Sequence, residues 1–253
     1  MKRILTALVL VPLALVATIF SPDWLFTLIV AVLAAICFDE LLKLAGVRTG
    51  SHPRRWTTVL AALVTASFTW GPAWVLAAMA GALLIPMAVI ALEGPSESTL
   101  LEIAVVALGI LYCSVLIGFI VLLQRELIVL LLVIIWIGDA AAYYGGRAIG
   151  RHALAPKISP TKTVEGAIAG IVASALAGIV FGVSMLGEAP LKLLTASIVT
   201  AVAGQIGDLS ESALKRSAGV KDSSSLLPGH GGMLDRLDSL LFAAPVFYWF
   251  FHA

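Results

Sequence analysis

Residues 204–216, GQIGDLSESALKR, space a carboxylate, a hydroxyl and a cation at steps of four and three: Asp208, Ser212 and Lys215. On a helix these three share one face, and such a stripe suits a hard metal ion bound beside a phosphate. Asp208 lies within an apolar stretch, where a charge costs about 3 kcal/mol on insertion scales, so it must face a partner or water rather than lipid. An interhelical salt bridge is the plainer alternative. Residues 221–239, KDSSSLLPGHGGMLDRLDS, are a second concentration of polar groups. Lys221 and Asp222 open it, and Gly229, Gly231 and Gly232 flank His230. Glycines at this density let backbone N–H groups turn toward an anion. Asp235 and Asp238 follow at i, i+3, a carboxylate pair entering a helix close to basic side chains, which fits magnesium and a polyphosphate. An ordinary Gly-rich turn capped by Asp is the alternative. His230 is either a general base or a holder of the turn. Positioning is favoured, because a phosphomonoester nucleophile is already ionised near neutral pH.

The third stretch is residues 139–170, DAAAYYGGRAIGRHALAPKISPTKTVEGAIAG. Asp139 sits inside an apolar run, and Arg147, Arg151, Lys157 and Lys162 follow in a segment punctuated by Gly and Pro. Ser159 before Pro160 reads as an N-cap with proline at the first helical position. A helix start attracts phosphate, so Ser159, Thr161 and Lys162, with Asp139 and Arg147, are candidates for substrate binding. A loop that is basic only for topology is the alternative. His52, His152 and His252 have no carboxylate or His at ligand spacing and stay unassigned. Asp39 and Glu40 are adjacent in an apolar run; they either line the same polar cavity or sit near its cytoplasmic end.

The elements that must carry these groups follow from composition. The chain of 253 residues is 60% hydrophobic and 12% charged, with mean hydropathy +1.06, which places it in the membrane class. Its net charge of +1 gives no footing for a nucleic-acid partner. A span needs about 20 apolar residues. Nine stretches qualify, at roughly 4–20, 24–45, 57–70, 74–92, 101–123, 127–147, 164–187, 192–214 and 237–252, the third and last being short. Trp24, Trp56, Trp70, Trp74 and Trp249 fall at span ends, as an interfacial belt would put them. With the N-terminus in the cytoplasm, nine spans put 14 of the 16 Lys and Arg on the cytoplasmic side, leaving Arg125 and Lys192 opposite. Eight spans would reverse the later loops. The first twenty residues read as a retained span rather than a cleaved leader. Cys37 and Cys113 lie in apolar runs and read as small buried hydrophobes. The expected fold is thus an all-α integral membrane protein of about nine helices, with residues 1–126 as N-terminal spans and 127–253 carrying a cytoplasm-facing site.

The polar blocks also carry a resemblance. Residues 212–238, SALKRSAGVKDSSSLLPGHGGMLDRLD, resemble the signature of the phosphatidate cytidylyltransferase (CDP-diacylglycerol synthase) family. Its fixed elements occur in order: Ser212, Lys215-Arg216, Lys221-Asp222, His230-Gly231-Gly232, Asp235-Arg236 and Asp238. GDLSES at 207–212, SPTKTVEGAIAG at 159–170 and Asp139 with the following Tyr-Gly-Gly-Arg resemble the family's other polar blocks. The likeness covers the chain from 139 onward; the first 130 residues match only in being several spans.

The resemblance implies a multi-span, dimeric membrane enzyme with its site open to the cytoplasm, lying in the inner or plasma membrane if the cell is bacterial. It implies that CTP and phosphatidate give CDP-diacylglycerol and pyrophosphate with Mg²⁺. Asp208, Ser212 and Asp235 would form the metal site, and Lys215, Arg216, Lys221, Asp222, His230, Arg236 and Asp238 the catalytic and substrate region. Two rivals remain. A CTP-dependent polyprenol-type lipid kinase would release CDP. A transporter would use Asp39, Asp139 and Asp208 as intramembrane relay groups, but its polar residues should be spread through the membrane depth.

Overall fold

The computed structural model describes residues 2–46, 53–93, 99–226 and 231–252. Each of the nine apolar stretches is helical there. In chain order they are α1 (Lys2–Phe20), α2 (Asp23–Leu44), α3 (Pro53–Ser67), α4 (Pro72–Glu93), a composite stretch, α7 (Arg125–Ile149), α8 (Val164–Leu186), α9 (Pro190–Ser217) and α10 (Leu234–His252). The composite stretch comprises α5 (Thr99–Gly109), a π-helical turn Ile110–Val115, α6 (Leu116–Gly118) and a 3-10 turn Phe119–Leu122. Among the described residues six helices are long and apolar enough to cross a bilayer: those over residues 23–44, 72–89, 99–122, 125–149, 164–186 and 190–217. Leu8–Phe20 and Trp56–Trp70, within the first and third expected spans, are shorter apolar helices among the described residues, and α10 carries Asp235, Arg236 and Asp238 at its start. Leu8, Leu76, Leu100, Val180 and Leu191 are all at least 65% exposed. Side chains of this kind are stable facing outward only against lipid or another apolar surface. Trp24, Trp56, Trp70, Trp74 and Trp249 are likewise 62–68% exposed, as an interfacial belt requires. Cys37 and Cys113 are buried and unbridged.

The all-α membrane architecture holds, and one local expectation within it, the helix start at Ser159-Pro160, needs correction. Residues Ala153–Ala155 (β1) and Ser159–Thr163 (β2) form a two-stranded antiparallel hairpin. Ser159 is therefore not an N-cap, and Pro160 does not start a helix. The helix begins four residues later, where Thr163 adopts extended backbone and its Oγ1 accepts the N–H of Gly166 at 3.1 Å. β-Branched threonines on either side of Lys162 favour extended backbone, and a Thr cap outcompetes Pro160 as the start signal. Glu165 closes the hairpin by accepting from the N–H groups of Arg151 and His152, with His152 Nδ1 2.6 Å from its other oxygen. The pairing that His152 lacked by sequence spacing is supplied by the turn.

The chain divides into two compact units. One holds residues 1–122 and 222–236, the other 123–221 and 237–253. In the second unit α8 packs through a stripe of small residues at steps of four: Gly166, Gly170, Ser174, Gly178 and Gly182, all buried. A Cβ at Gly170 would stand 3.0 Å from the Gly138 carbonyl of α7, and one at Gly178 2.7 Å from Ser197 Cβ of α9. Small residues let helix backbones approach closely where lipid offers no competing hydrophobic drive. In the first unit, Gly109 gives Phe38 of α2 room beside the π-helical turn, and Thr65 Oγ1 donates to the Ser114 carbonyl within that turn at 3.1 Å. The hydroxyl satisfies a carbonyl that the wider helix leaves available.

Candidate active site

In the second unit, α9 carries Asp208, Ser212 and Lys215 on neighbouring turns, as the spacing predicted, with Glu211 beside them. Lys162 of β2 forms an ion pair with Asp208, both about one-third exposed. Lys215 pairs with Glu211 one turn earlier, which is fully buried. Asp238 of α10 stands close enough to Asp208, Glu211 and Asp139 to interact with all three carboxylates. The close approach of α9 and α10 depends on Gly207, where a Cβ would be driven against the Asp238 carbonyl. Asp139 also lines a small cleft with Gly138, Ser174, Gly204, Gln205 and Ser239. Residues of all three polar blocks thus meet as one cluster of four carboxylates and two lysines. Glu211 was not singled out from the sequence. Its step of four to Lys215 is the signal that could have found it.

Arg216 sits at the edge of this cluster and is exposed. Its Nε donates to the Ile158 carbonyl and one Nη to the Val220 carbonyl, both at 3.1 Å. The guanidinium therefore ties the hairpin turn to the exit of α9. Arg147 is exposed in the last turn of α7, Thr161 is exposed on β2, and Ser159 is half-buried there.

In the first unit, residues 222–236 enter α10 under the control of two carboxylates. Asp235 Oδ2 accepts from the N–H of Ser223 at 2.9 Å, from Ser223 Oγ at 2.9 Å and from the N–H of Gly232 at 2.7 Å. Glu40 of α2 accepts from the N–H groups of Met233 and Leu234 at 3.0 and 2.8 Å. Backbone N–H groups around the glycines do turn toward an anion, as expected. The anions are protein carboxylates, so Gly232, Met233 and Leu234 offer no cradle for a phosphate. Gly231 adopts φ +80°, the left-handed region that glycine enters without strain. Lys221, Asp222 and Arg236 are exposed around this loop, and Asp235 is buried. His230 lies outside the described residues, as does Gly229. Sequence placed Glu40 beside a polar cavity or near its cytoplasmic end but named no partners for it, because those partners lie more than 180 positions away.

Among the described residues no group of three or more His, Cys, Asp or Glu is placed to hold a metal alone. Mg²⁺ does not need such a cage: it keeps waters and binds through one or two carboxylates plus substrate phosphates. In the second unit the carboxylate of Asp208 and the hydroxyl of Ser212, one turn apart on α9, are oxygen donors of the kind that hard cation takes.

Known proteins resemble this chain. A phosphatidate cytidylyltransferase of Haemophilus influenzae (strain ATCC 51907 / DSM 11121 / KW20 / Rd) is 41% identical over 130 residues, covering 49% of this chain and 45% of that protein. One of Bacillus subtilis (strain 168) is 47% identical over 120 residues, covering 46% of this chain and 44% of the relative. A protein of Escherichia coli (strain K12) named Uncharacterized protein YnbB is 44% identical over 124 residues, 49% of this chain and 42% of its own length. The matched part is thus less than half of each relative. The model of the Cytidylyltransferase family matches residues 1–253, and the chain belongs to that family.

Proposed function

We propose that this protein is a CTP:phosphatidate cytidylyltransferase, making CDP-diacylglycerol. The observation that carries the proposal is the Lys162–Asp208 pair. It joins the SPTKT and GDLSES blocks into a cation and carboxylate about one-third exposed, flanked by further carboxylates and by Lys215. A nucleotide with its cation can exchange with such a pair: the phosphate takes the lysine and the cation takes the carboxylate. The names of the relatives give the reaction type.

In the reaction, a phosphate oxygen of phosphatidate forms a bond to the α-phosphorus of CTP. The bond from that phosphorus to the bridging oxygen breaks, and pyrophosphate leaves with the electron pair. No proton need be removed from an ionised phosphomonoester, so the protein's work is to position two anions and offset their repulsion. Lys162, Lys215, Lys221 and Arg236 neutralise phosphate charge. Arg216 holds the hairpin turn in place. Asp208, Ser212 and Asp235 would hold Mg²⁺, which when bound offsets charge on the phosphates and the leaving group. Asp222, His230 and Asp238 complete the substrate region. The further proposals are nine spans with a cytoplasmic N-terminus and active site, an inner or plasma membrane location in a bacterial cell, and a homodimer.

The test uses purified protein in detergent with phosphatidate, Mg²⁺ and CTP labelled at the α-phosphate. Label in the lipid phase with equimolar pyrophosphate, lost on chelation and regained on adding Mg²⁺, is the expected result. Release of CDP into water would make the protein a lipid kinase instead. No turnover of CTP would sink the enzymatic reading and return attention to transport.

A further inference from the structure

Glu40 has no part in the chemistry above, yet it is a buried carboxylate, 2% exposed, near the end of an apolar helix. Its Oε1 accepts from Ser224 Oγ at 2.6 Å and Met233 N at 3.0 Å. Its Oε2 accepts from Ser223 Oγ at 3.0 Å and Leu234 N at 2.8 Å. All four donors belong to residues 223–234, between the start of the polar loop and the first residue of α10. We propose that Glu40 is a positioning residue for the reaction, which fixes the signature loop and through it the carboxylate of Asp235.

Three observations carry this. First, a charge buried this deeply persists only where fixed donors replace water. The two N–H groups stand at the N-terminus of α10, where unpaired donors and the helix dipole favour an anion. Glu40 thus caps α10 from a helix nearly two hundred residues earlier. Secondly, the loop is shaped around that carboxylate. A Cβ on Gly232 would fall 2.5 and 2.7 Å from the two Glu40 oxygens and collide with Ser223 Oγ. Glycine is required there by Ser223 and the Glu40 carboxylate it donates to, not by backbone strain. Thirdly, Ser223 Oγ lies 3.0 Å from Glu40 Oε2 and 2.9 Å from Asp235 Oδ2. A serine has one hydroxyl proton, so the two carboxylates compete for a single donor. Moving Glu40 therefore changes what Asp235 accepts and where it points. Glu40, the loop and Asp235 all belong to the first unit.

The kinetic half of this inference rests on the cytidylyltransferase reading; the anchoring half does not. The experiment therefore has two readouts on the purified full chain in detergent. Glu40→Gln keeps the shape but puts an amide N–H among donors. Hydrogen exchange in peptides covering residues 222–236 should rise by about tenfold or more, with 190–217 unchanged, since charge-assisted bonds to two amides are lost. Turnover per folded enzyme should fall by about ten- to a hundredfold, as a misplacement near 1 Å produces. The KM for phosphatidate should stay within about threefold, and Glu40→Asp should recover part of kcat. A merely structural Glu40 would instead lower the folded fraction and leave kcat per folded enzyme unchanged, which overturns the proposal. Wild-type exchange in 222–236 would also overturn it. If Glu40→Gln does not fold, Gly232→Ala displaces the loop while keeping the carboxylate, and the same paired loss is expected; wild-type values in both readouts would refute the anchor. If the wild-type protein shows no CTP turnover, the proposed function fails, and exchange alone decides whether Glu40 holds the loop.

Discussion

Replacing Gly207 by alanine should destabilise the protein even though alanine is the better helix former. In α9 the added methyl meets the Asp238 carbonyl oxygen far inside van der Waals contact, and Phe242 Cβ and Cδ2 at 3.1 Å. A side chain could rotate away, but a backbone carbonyl can retreat only if α10 moves with it. Overpacking of this kind costs about 1–3 kcal/mol. Helix propensity returns up to about 1 kcal/mol, so with the full return the net loss is up to about 2 kcal/mol. For a chain of this length that lowers Tm by up to about 8 °C. The assay is thermal unfolding in detergent followed by tryptophan fluorescence, with Gly81→Ala as the control. A Cβ at Gly81 meets nothing closer than Ile85 Cδ1 at 4.0 Å, so that variant should gain the propensity term alone and melt about 2–4 °C higher. If Gly207→Ala melts with or above wild type, the argument that α9 and α10 meet through this glycine is wrong.

Asp208→Asn should lower CTP turnover by about a hundredfold or more, and Lys162→Met by at least about tenfold with a raised KM for CTP, measured with labelled nucleotide. Equal activity in both would remove the Lys162–Asp208 pair from the site. Thr163→Ala removes the hydroxyl that accepts the Gly166 N–H; it should cost about 1 kcal/mol and about 2–4 °C in thermal unfolding. Ser159→Ala, which the sequence alone marks as the cap, should cost less.

Sequence by itself determined the membrane character, because 60% hydrophobic residues leave too few polar groups for a soluble surface. It also located the helices, whose apolar stretches end at Gly, Pro and charge, and it marked the polar blocks of the site. Asp208, Ser212 and Lys215 were legible because a helix converts steps of four and three into one face. Family membership was legible for a similar reason: many polar residues at fixed spacing in an apolar chain are an improbable pattern. Some local evidence was present but outweighed. Thr163 and the threonines around Lys162 signalled a strand followed by a cap, yet Ser159-Pro160 gave the louder helix-start signal. The stripe of small residues along α8 repeats every four positions and needed only to be read as a packing face.

Tertiary structure decided the rest, for a physical reason. Partners far apart in sequence leave no periodicity or local composition to read. Nothing near Lys162 announces Asp208, and nothing near Glu40 announces Met233 and Leu234. The glycines of the signature suggested N–H groups directed at a phosphate. Which anion those groups serve depended on the carboxylates folded against them, Asp235 from the same loop and Glu40 from α2.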